Sequence, residues 1–446
     1  MYFDRINSTI CALATAKGSS IGIIRVSGKK AFEIAKKLTG RTKFEHKKAD
    51  FVKIFDGEKV VEKCLILTFH APFSFTGEDV AEFHVHGAAE NASEIMRLIF
   101  KNGAIPALKG EFSFRAVLNS KISVDEAIAL NTVITSENPF STDLSRKAAF
   151  EKNPLEKLND LIPQWEYFHT LATAVVDFPD QISTDIDFEK LKNLIKRSNL
   201  DISKVLANSE ALSKLLDYHV VILGKPNVGK SSLFNILIER DRAIVADLPG
   251  TTRDYISETF YAKGFQALLT DSAGLRIASS EVEAKGIEKS RNLLEKGDLL
   301  ILVFDGSKPL DLEDLELLRE TCMKPRLLVK NKCDFAQAEN PKLDGAIEIS
   351  CKEGRGIDVL VDKICENIEK NMPDKNEAIF FSDWQKKKAE EILDKMEELK
   401  VYLNSDQIEI ILFFISEIFN GIRDLAGDLT SHDVYEQIFG GFCLGK

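Results

Sequence analysis

The stretch Gly224-Lys-Pro-Asn-Val-Gly-Lys-Ser231 decides how the chain around it folds. The apolar run Tyr218 to Leu223 before it reads as a buried strand, and Ser232-Leu-Phe-Asn-Ile-Leu-Ile-Glu239 after it reads as a helix. Strand, Gly-x-x-x-x-Gly-Lys-Ser, helix is the phosphate-binding loop in the context that it requires. The glycines let successive N–H groups turn toward phosphate oxygens, and the positive end of the helix adds to that field. Lys230 is placed to reach the β- and γ-phosphates, and the Ser231 hydroxyl to ligate Mg²⁺. By itself the loop specifies a nucleoside triphosphate and no particular base.

Working outward, three more elements each follow a strand signal. Asp271-Ser-Ala-Gly274 follows Ala267–Thr270; its Asp suits the Mg²⁺ shell and its Gly N–H the γ-phosphate. Asn331-Lys-Cys-Asp334 follows Arg326–Val329. A carboxylate there accepts from both N1–H and the exocyclic amine of guanine, whereas adenine would leave it unsatisfied. Lys332 lies over the base plane, and Ser350-Cys-Lys352 backs the guanine. Each tetrapeptide alone is also a solvated turn; in this order and spacing they read as a GTPase. The candidate nucleotide contacts begin with Asn227, Val228, Gly229, Lys230, Ser231 and Ser232. The switch loop Ile244–Asp254 supplies Ala246, Asp247, Leu248, Pro249, Gly250, Thr251 and Thr252, with Thr252 as a second Mg²⁺-side hydroxyl. Asp271, Ser272, Ala273 and Gly274 follow, then Asn331, Lys332, Cys333 and Asp334, then Ser350, Cys351 and Lys352. Leu275 stands where Ras-like enzymes place the glutamine that orients water, and no arginine finger in cis is evident. Asn227 offers a carbonyl oxygen to a monovalent cation between phosphates.

The remaining sequence sets the frame. At 446 residues the chain exceeds one core, and 44% apolar with 29% charged residues is ordinary globular composition. No apolar run approaches the roughly 20 residues of a membrane span, and Met1-Tyr-Phe-Asp-Arg-Ile6 lacks a signal-peptide pattern. Seven scattered cysteines without a Cys-x-x-Cys pair suit reduced thiols in a cytoplasmic setting, not a zinc or disulfide framework. A formal charge of −11 confines any nucleic-acid contact to a local basic patch. Lys386-Lys-Lys388 is one candidate, and is equally a solvated helix face. Strand signals at Ile21–Ser27, Val60–Phe69 and Asp79–Val85, with helix signals at Lys29–Leu38 and Asn91–Phe100, predict an α+β domain over 1–120. Three- and four-residue apolar spacing predicts helices at Val124–Val133, Ser141–Phe150, Leu155–Asp177 and Phe188–Leu216, the first part (121–216) of an all-α helical domain. Alternating signals predict an α/β P-loop G domain over 217–372, inserted into the helical domain. The helical domain then resumes over 373–446 with helices at Asp383–Leu403 and Gln407–Leu425. Alternation puts His84 and His86 on one strand face, where they read as satisfied, partly exposed histidines.

Gly-x-Pro-Asn-x-Gly-Lys-Ser, Pro249-Gly-Thr-Thr-Arg-Asp254, Asp271-Ser-Ala-Gly-Leu-Arg276 and the terminal Phe442-Cys-Leu-Gly-Lys446 together resemble the MnmE (TrmE) family of tRNA-modification GTPases. The likeness runs end to end. It takes in Gly22-Ile-Ile-Arg-Val-Ser-Gly28, Ser74-Phe-Thr-Gly-Glu-Asp79, Gly110-Glu-Phe-Ser113 and Asp177-Phe-Pro-Asp180. It implies a potassium-activated GTPase whose two G domains meet across a homodimer. K⁺ would be held by Asn227, Ala246, Leu248 and Thr251, and Mg²⁺ by Ser231 and Thr252. The resemblance makes Glu283 the acid that orients water; on sequence alone it reads as a solvated helix start. It also implies that Lys230 and Asn227 take part in catalysis, and it ties Cys443 to the modification chemistry, though unaided Cys443 reads as an inert terminal thiol. The N-terminal domain would bind a tetrahydrofolate such as 5-formyltetrahydrofolate through Arg25, Glu82, Lys121 and Lys446, and would dimerise. Without the resemblance those four are ordinary surface charges. The implied partners are tRNA and the flavoprotein MnmG, in a heterotetramer that builds a carboxymethylaminomethyl-type group on the wobble uridine with a folate one-carbon unit. The chain departs from the family at Ala16-Lys17, Lys109, Ala88, Ser272 and Cys351, and over residues 130–150. The competing reading is a ribosome-assembly switch of the Era or Der kind, which shares the phosphate-loop signature but not the terminal Cys-x-Gly-Lys.

Overall fold

The computed structural model describes residues 1–16, 18–136, 139–151, 155–178, 186–239, 257–263, 265–271, 296–374, 377–403, 407–429 and 431–445. The chain divides into two compact units: Met1–Thr135 with Leu144–Leu206 and Asn376–Lys446, and Ser136–Asp143 with Ala207–Lys375. The second boundary falls inside the helix Phe188–Leu216, so residues 207–216 group with the G domain, not with the helical segment predicted to hold them.

The first unit opens on a six-stranded sheet of β1 (Ile10–Leu13), β2 (Ile21–Ser27), β3 (Ala49–Asp56), β4 (Lys59–Phe69), β5 (Val80–His86) and β6 (Ile105–Pro106), in the order β3-β4-β5-β2-β1-β6. All neighbours are antiparallel except β1 with β6. Side chains alternate across each strand. One face, with Val52, Ile66, Phe83, Val85 and Ile24, packs on the helices Ala31–Thr39 and Ala89–Lys101 through Ile34, Leu38, Ile95 and Ile99. The alternate residues of β2 and β5, Arg25 and Glu82 among them, point to the other face. The strands β1, β3 and β6 and the helix Glu111–Leu118 add to the sequence reading. Of these β3, with Val52 and Ile54 buried between exposed Phe51 and Lys53, carries the two-residue period plainly.

The helical part of this unit packs Trp165, Phe168, Ile195, Ile392, Ile415 and Ile418 into one core. Trp165 is fully buried and its indole N–H donates to Ser198 at 3.0 Å. The predicted single helix Leu155–Asp177 is instead two, Glu156–Asn159 and Ile162–Asp177. Pro163 causes the break: it lacks an N–H and suits a first turn, where it stands. Ser382 and Gln385 form a capping box that starts the helix Asp383–Tyr402. The helix His432–Phe439 is a further addition. It is held by an aromatic cluster in which Phe439 lies 5.8 Å from Phe114 and 6.5 Å from Tyr2. The chain then passes beside Lys109, where Gly110 N–H donates to the Cys443 carbonyl at 3.2 Å and Gly445 packs on Leu13 and Ala14.

The second unit holds β7 (His219–Leu223), β8 (Ser257–Ala262), β9 (Phe265–Asp271), β10 (Leu299–Asp305), β11 (Arg326–Asn331) and β12 (Ile347–Glu348), in the order β12-β11-β10-β7-β9-β8. Five strands are parallel, and β8 pairs antiparallel to β9 at the edge. β10 is buried over Leu299–Phe304, as a central parallel strand covered on both faces must be. The β8 edge strand has only a short mixed pattern, Ser-Glu-Thr-Phe-Tyr-Ala, which carries no parallel-strand signal.

Candidate functional site

The phosphate loop leaves β7 at Gly224, whose φ of 150° and approach to Val303 exclude any side chain: a Cβ there would lie 2.3 Å from the Val303 carbonyl oxygen. Lys225 pairs with Asp311 and, at 3.0 Å, with Asp314, tying the loop to the start of the helix Leu312–Glu320. Asn227 has a φ of 64° and is exposed at the loop crest. Val228 is buried below it. Lys230 opens the helix Lys230–Glu239; its ammonium donates to the Lys225 carbonyl at 2.7 Å, so the charge is held across the concavity of the loop. Ser231 Oγ donates to the Asp271 carboxylate at 2.7 Å, and Ser232 is exposed beside it. A hydroxyl and a carboxylate oxygen in contact, from the ends of α and β elements, are hard-oxygen donors of the kind that could hold a divalent cation.

Asn331 clamps two loops together. It is buried; its amide donates to the Val228 carbonyl at 2.8 Å and its side-chain oxygen accepts from Cys351 N–H at 3.1 Å. Lys332, with a φ of 67°, reaches Asp305 at 2.7 Å. Burial alone would raise the Asp305 carboxyl, but hydrogen bonds from Lys332 and Ser307 outweigh it and hold the group below its ordinary range. Asp334 accepts from Ser350 Oγ at 2.8 Å, which fixes the carboxylate to the fully buried Ser350. Cys333 N–H donates to Ile349 at 3.0 Å, and Lys352 is exposed. Burial pushes the Cys351 thiol up to about 11 and raises that of Cys333, so neither is a ready thiolate. All seven cysteines are free. The candidates Ala246, Asp247, Leu248, Pro249, Gly250, Thr251, Thr252, Ser272, Ala273, Gly274, Glu283 and Lys446 lie outside the described residues, as does Leu275.

A second site lies in the first unit. Arg25 on β2 and Glu82 on β5 are register partners, with Nε and Oε1 2.8 Å apart. The Arg25 guanidinium lies 5.6 Å from the Phe112 ring and 6.0 Å from that of Phe75. His84, two residues along β5, puts Nε2 3.6 Å from Glu82 Oε2. Among the described residues that buried nitrogen has no hydrogen-bond partner, where the sequence reading expected a satisfied histidine. His86 is exposed and meets Glu62 at 3.1 Å. Lys121 lies against Gly77, in the turn that carries Phe75. Cys443 is exposed.

Sequence reading missed what the two acidic motifs do. Arg115, 1% exposed, reaches both oxygens of Glu78 at 3.0 Å, Glu111 at 3.0 Å and the Ser8 carbonyl at 2.8 Å. Glu78 belongs to Ser74–Asp79 and Glu111 to Gly110–Ser113, so one buried cation locks both motifs beside the Arg25 site. The Glu111/Arg115 spacing of four on a helix was the available signal.

Comparison with known proteins decides the family. A family model described as "GTP-binding protein TrmE N-terminus" matches residues 9–121, and one described as "50S ribosome-binding GTPase" matches 219–332. The "tRNA modification GTPase MnmE" of Aliarcobacter butzleri is 35% identical over 449 residues, covering 99% of this chain and 99% of its own. The chain belongs to the MnmE family. The MnmE of Clostridioides difficile is 33% identical over 99% of this chain and 100% of its own. Among solved structures, the G domain of the T. maritima FeoB iron transporter aligns with 34% of this chain and 98% of its own at 31% identity, with a TM-score of 0.26. This MnmE-family chain thus carries a TrmE-type N-terminal domain, a helical region and a P-loop GTPase domain.

Proposed function

We infer that the chain hydrolyses GTP to GDP and phosphate in the service of tRNA modification, as its full-length relatives are named, and we propose that the hydrolysis is potassium-activated. The carrying observation is the phosphate loop itself. Its Ser231–Asp271 pair suits Mg²⁺, and Asn227 stands exposed at the crest with no side-chain hydrogen bond among the described residues. Asn227 would hold K⁺ together with Ala246, Leu248 and Thr251, and Thr252 would join Ser231 on Mg²⁺. A cation at Asn227 supplies the positive charge that an arginine finger gives elsewhere. Lys230 neutralises phosphate charge, Glu283 orients water where Leu275 cannot, and Asn331 and Asp334 select guanine.

The Arg25–Glu82 pair supports a tetrahydrofolate site. The guanidinium fits the carboxylates of a folate tail, the Glu82 carboxylate a pterin donor edge, and Phe112 and Phe75 supply apolar walls. Lys121 and Lys446 complete the set, and Cys443 takes part in the chemistry from the neighbouring tail. The chain acts in the cytoplasm as a homodimer over 1–120, with the G domain inserted in the helical domain, and with the flavoprotein MnmG in a heterotetramer. Together they add a carboxymethylaminomethyl-type group to the wobble uridine. GTP turnover in KCl against NaCl tests the first part: a large excess in KCl, lost in Asn227→Ala, is expected, and equal rates in both salts overturn it. Binding of 5-formyltetrahydrofolate tests the second: Arg25→Ala abolishes it while leaving potassium-stimulated turnover intact.

A further inference from the structure

The charge of the chain is unevenly placed. Residues 29–48 hold eight basic residues against Glu33 and Glu45, a local +6, whereas the rest of the chain carries −17 of the total −11. The segment comprises the helix Ala31–Thr39 and the loop after it. Every Lys and Arg in it is exposed. Lys37 pairs with Glu33, Lys48 with Glu45 and Arg41 with Asp50. Lys30, Lys36, Lys43 and Lys47 have no carboxylate within 4.0 Å among the described residues.

Two features make this a built surface instead of a solvated run. The loop is pinned to the end of β4: Lys47 N–H donates to Thr68 at 2.8 Å, Thr68 Oγ1 to Glu45 at 3.1 Å, and His70 N–H to His46 Nδ1 at 3.0 Å. A line of rings then joins the two ends of the segment. Phe32 lies 4.7 Å from His70, His70 5.6 Å from His46, and His46 6.0 Å from Phe73, which is 66% exposed. Lys36 is one helical turn from Phe32 and shares its side of the helix. Among the described residues, buried His70 Nε2 in the middle of the line has no hydrogen-bond partner. Exposed lysines without a carboxylate partner among the described residues, on a segment tied by its rings to an exposed phenylalanine, match what RNA presents: phosphates, and unstacked bases that seek an aromatic face.

We propose that this surface docks tRNA, with Lys36, Lys43 and Lys47 on backbone phosphates and Phe73 under an unpaired base. The assignment rests on the tRNA reading above and adds where on the chain the RNA lies. The test is tRNA binding to the full chain as a function of salt, for wild type, for the combined Lys36→Gln/Lys43→Gln/Lys47→Gln variant and for Phe73→Ala. The lysine variant is expected to flatten the log–log salt slope by about 2 and to weaken binding about tenfold or more. Phe73→Ala weakens it about tenfold and leaves the slope unchanged. GTP turnover stays at the wild-type level in both, which shows that the chain is folded. Wild-type binding with unchanged affinity and slope in both variants overturns the surface alone. A wild type that binds no tRNA overturns the tRNA reading and the surface with it, and retention on anionic phospholipid vesicles in that case assigns the patch to a membrane.

Discussion

The nucleotide site and the Arg25 site both hold polar groups in fixed positions, and they do so by opposite means. In the G domain, the groups belong to short contiguous loops, and one buried side chain, Asn331, ties two of those loops together. In the N-terminal domain the polar groups are Arg25 and Glu82, with Phe75 and Phe112 as ring neighbours, brought together by strand register and by the buried Arg115. Contiguous loops are sensitive to backbone space. A register-built site is sensitive to the charges buried beneath it.

The largest expected effect probes that difference from the N-terminal side. Arg115→Ala strands Glu78 and Glu111 with Arg5 as the remaining cation on Glu111, and costs about 3–5 kcal/mol by chemical denaturation. The expected loss is confined to the N-terminal domain, so GTP affinity holds; a loss of both together would break the contrast. Next is Gly229→Ala, where a Cβ would lie 2.1 Å from the Asn331 amide nitrogen at a φ of 102°. Strain and the displaced Asn331 bond together cost about 3 kcal/mol, read as a loss of GTP affinity on the order of 100-fold. Asp334→Asn is smaller in stability and sharper in meaning. An amide at that position cannot accept twice from guanine, so GTP affinity falls while that for xanthosine triphosphate, with an oxygen in place of the amine, rises. An unchanged preference in a nucleotide competition assay places base reading elsewhere. The smallest effect is the acid response at Asp305. Its folded carboxyl titrates below the ordinary 3.8, so it stabilises the fold above that value and the contribution fades as pH falls through the folded-state value. Acid unfolding of Asp305→Asn, compared with wild type, reads it as a lost contribution near neutrality and a flatter decline in acid.

Legibility followed the same divide. The helix Phe188–Leu216 and the strands β2, β7 and β10 carry long or uninterrupted periodic patterns, and their starts and types were readable from the chain. The strands β1 and β6 have too few residues for a period to emerge, and the helix His432–Phe439 takes its stability from Phe114 and Tyr2, far away in sequence. Asn331 was readable as part of a guanine motif, but its clamp between Val228 and Cys351 was not, because both partners lie in other loops.

The sequence by itself determined the phosphate loop, the base-reading motif and the family. Nucleotide recognition uses neighbouring backbone groups and so leaves its mark in consecutive residues. Tertiary structure alone decided that Arg25 meets Glu82, that Arg115 sits under both acidic motifs, and that Phe32, His46, His70 and Phe73 line up. These contacts join strands and turns distant along the chain, and which residues face one another there is set by register and packing, which no local pattern encodes.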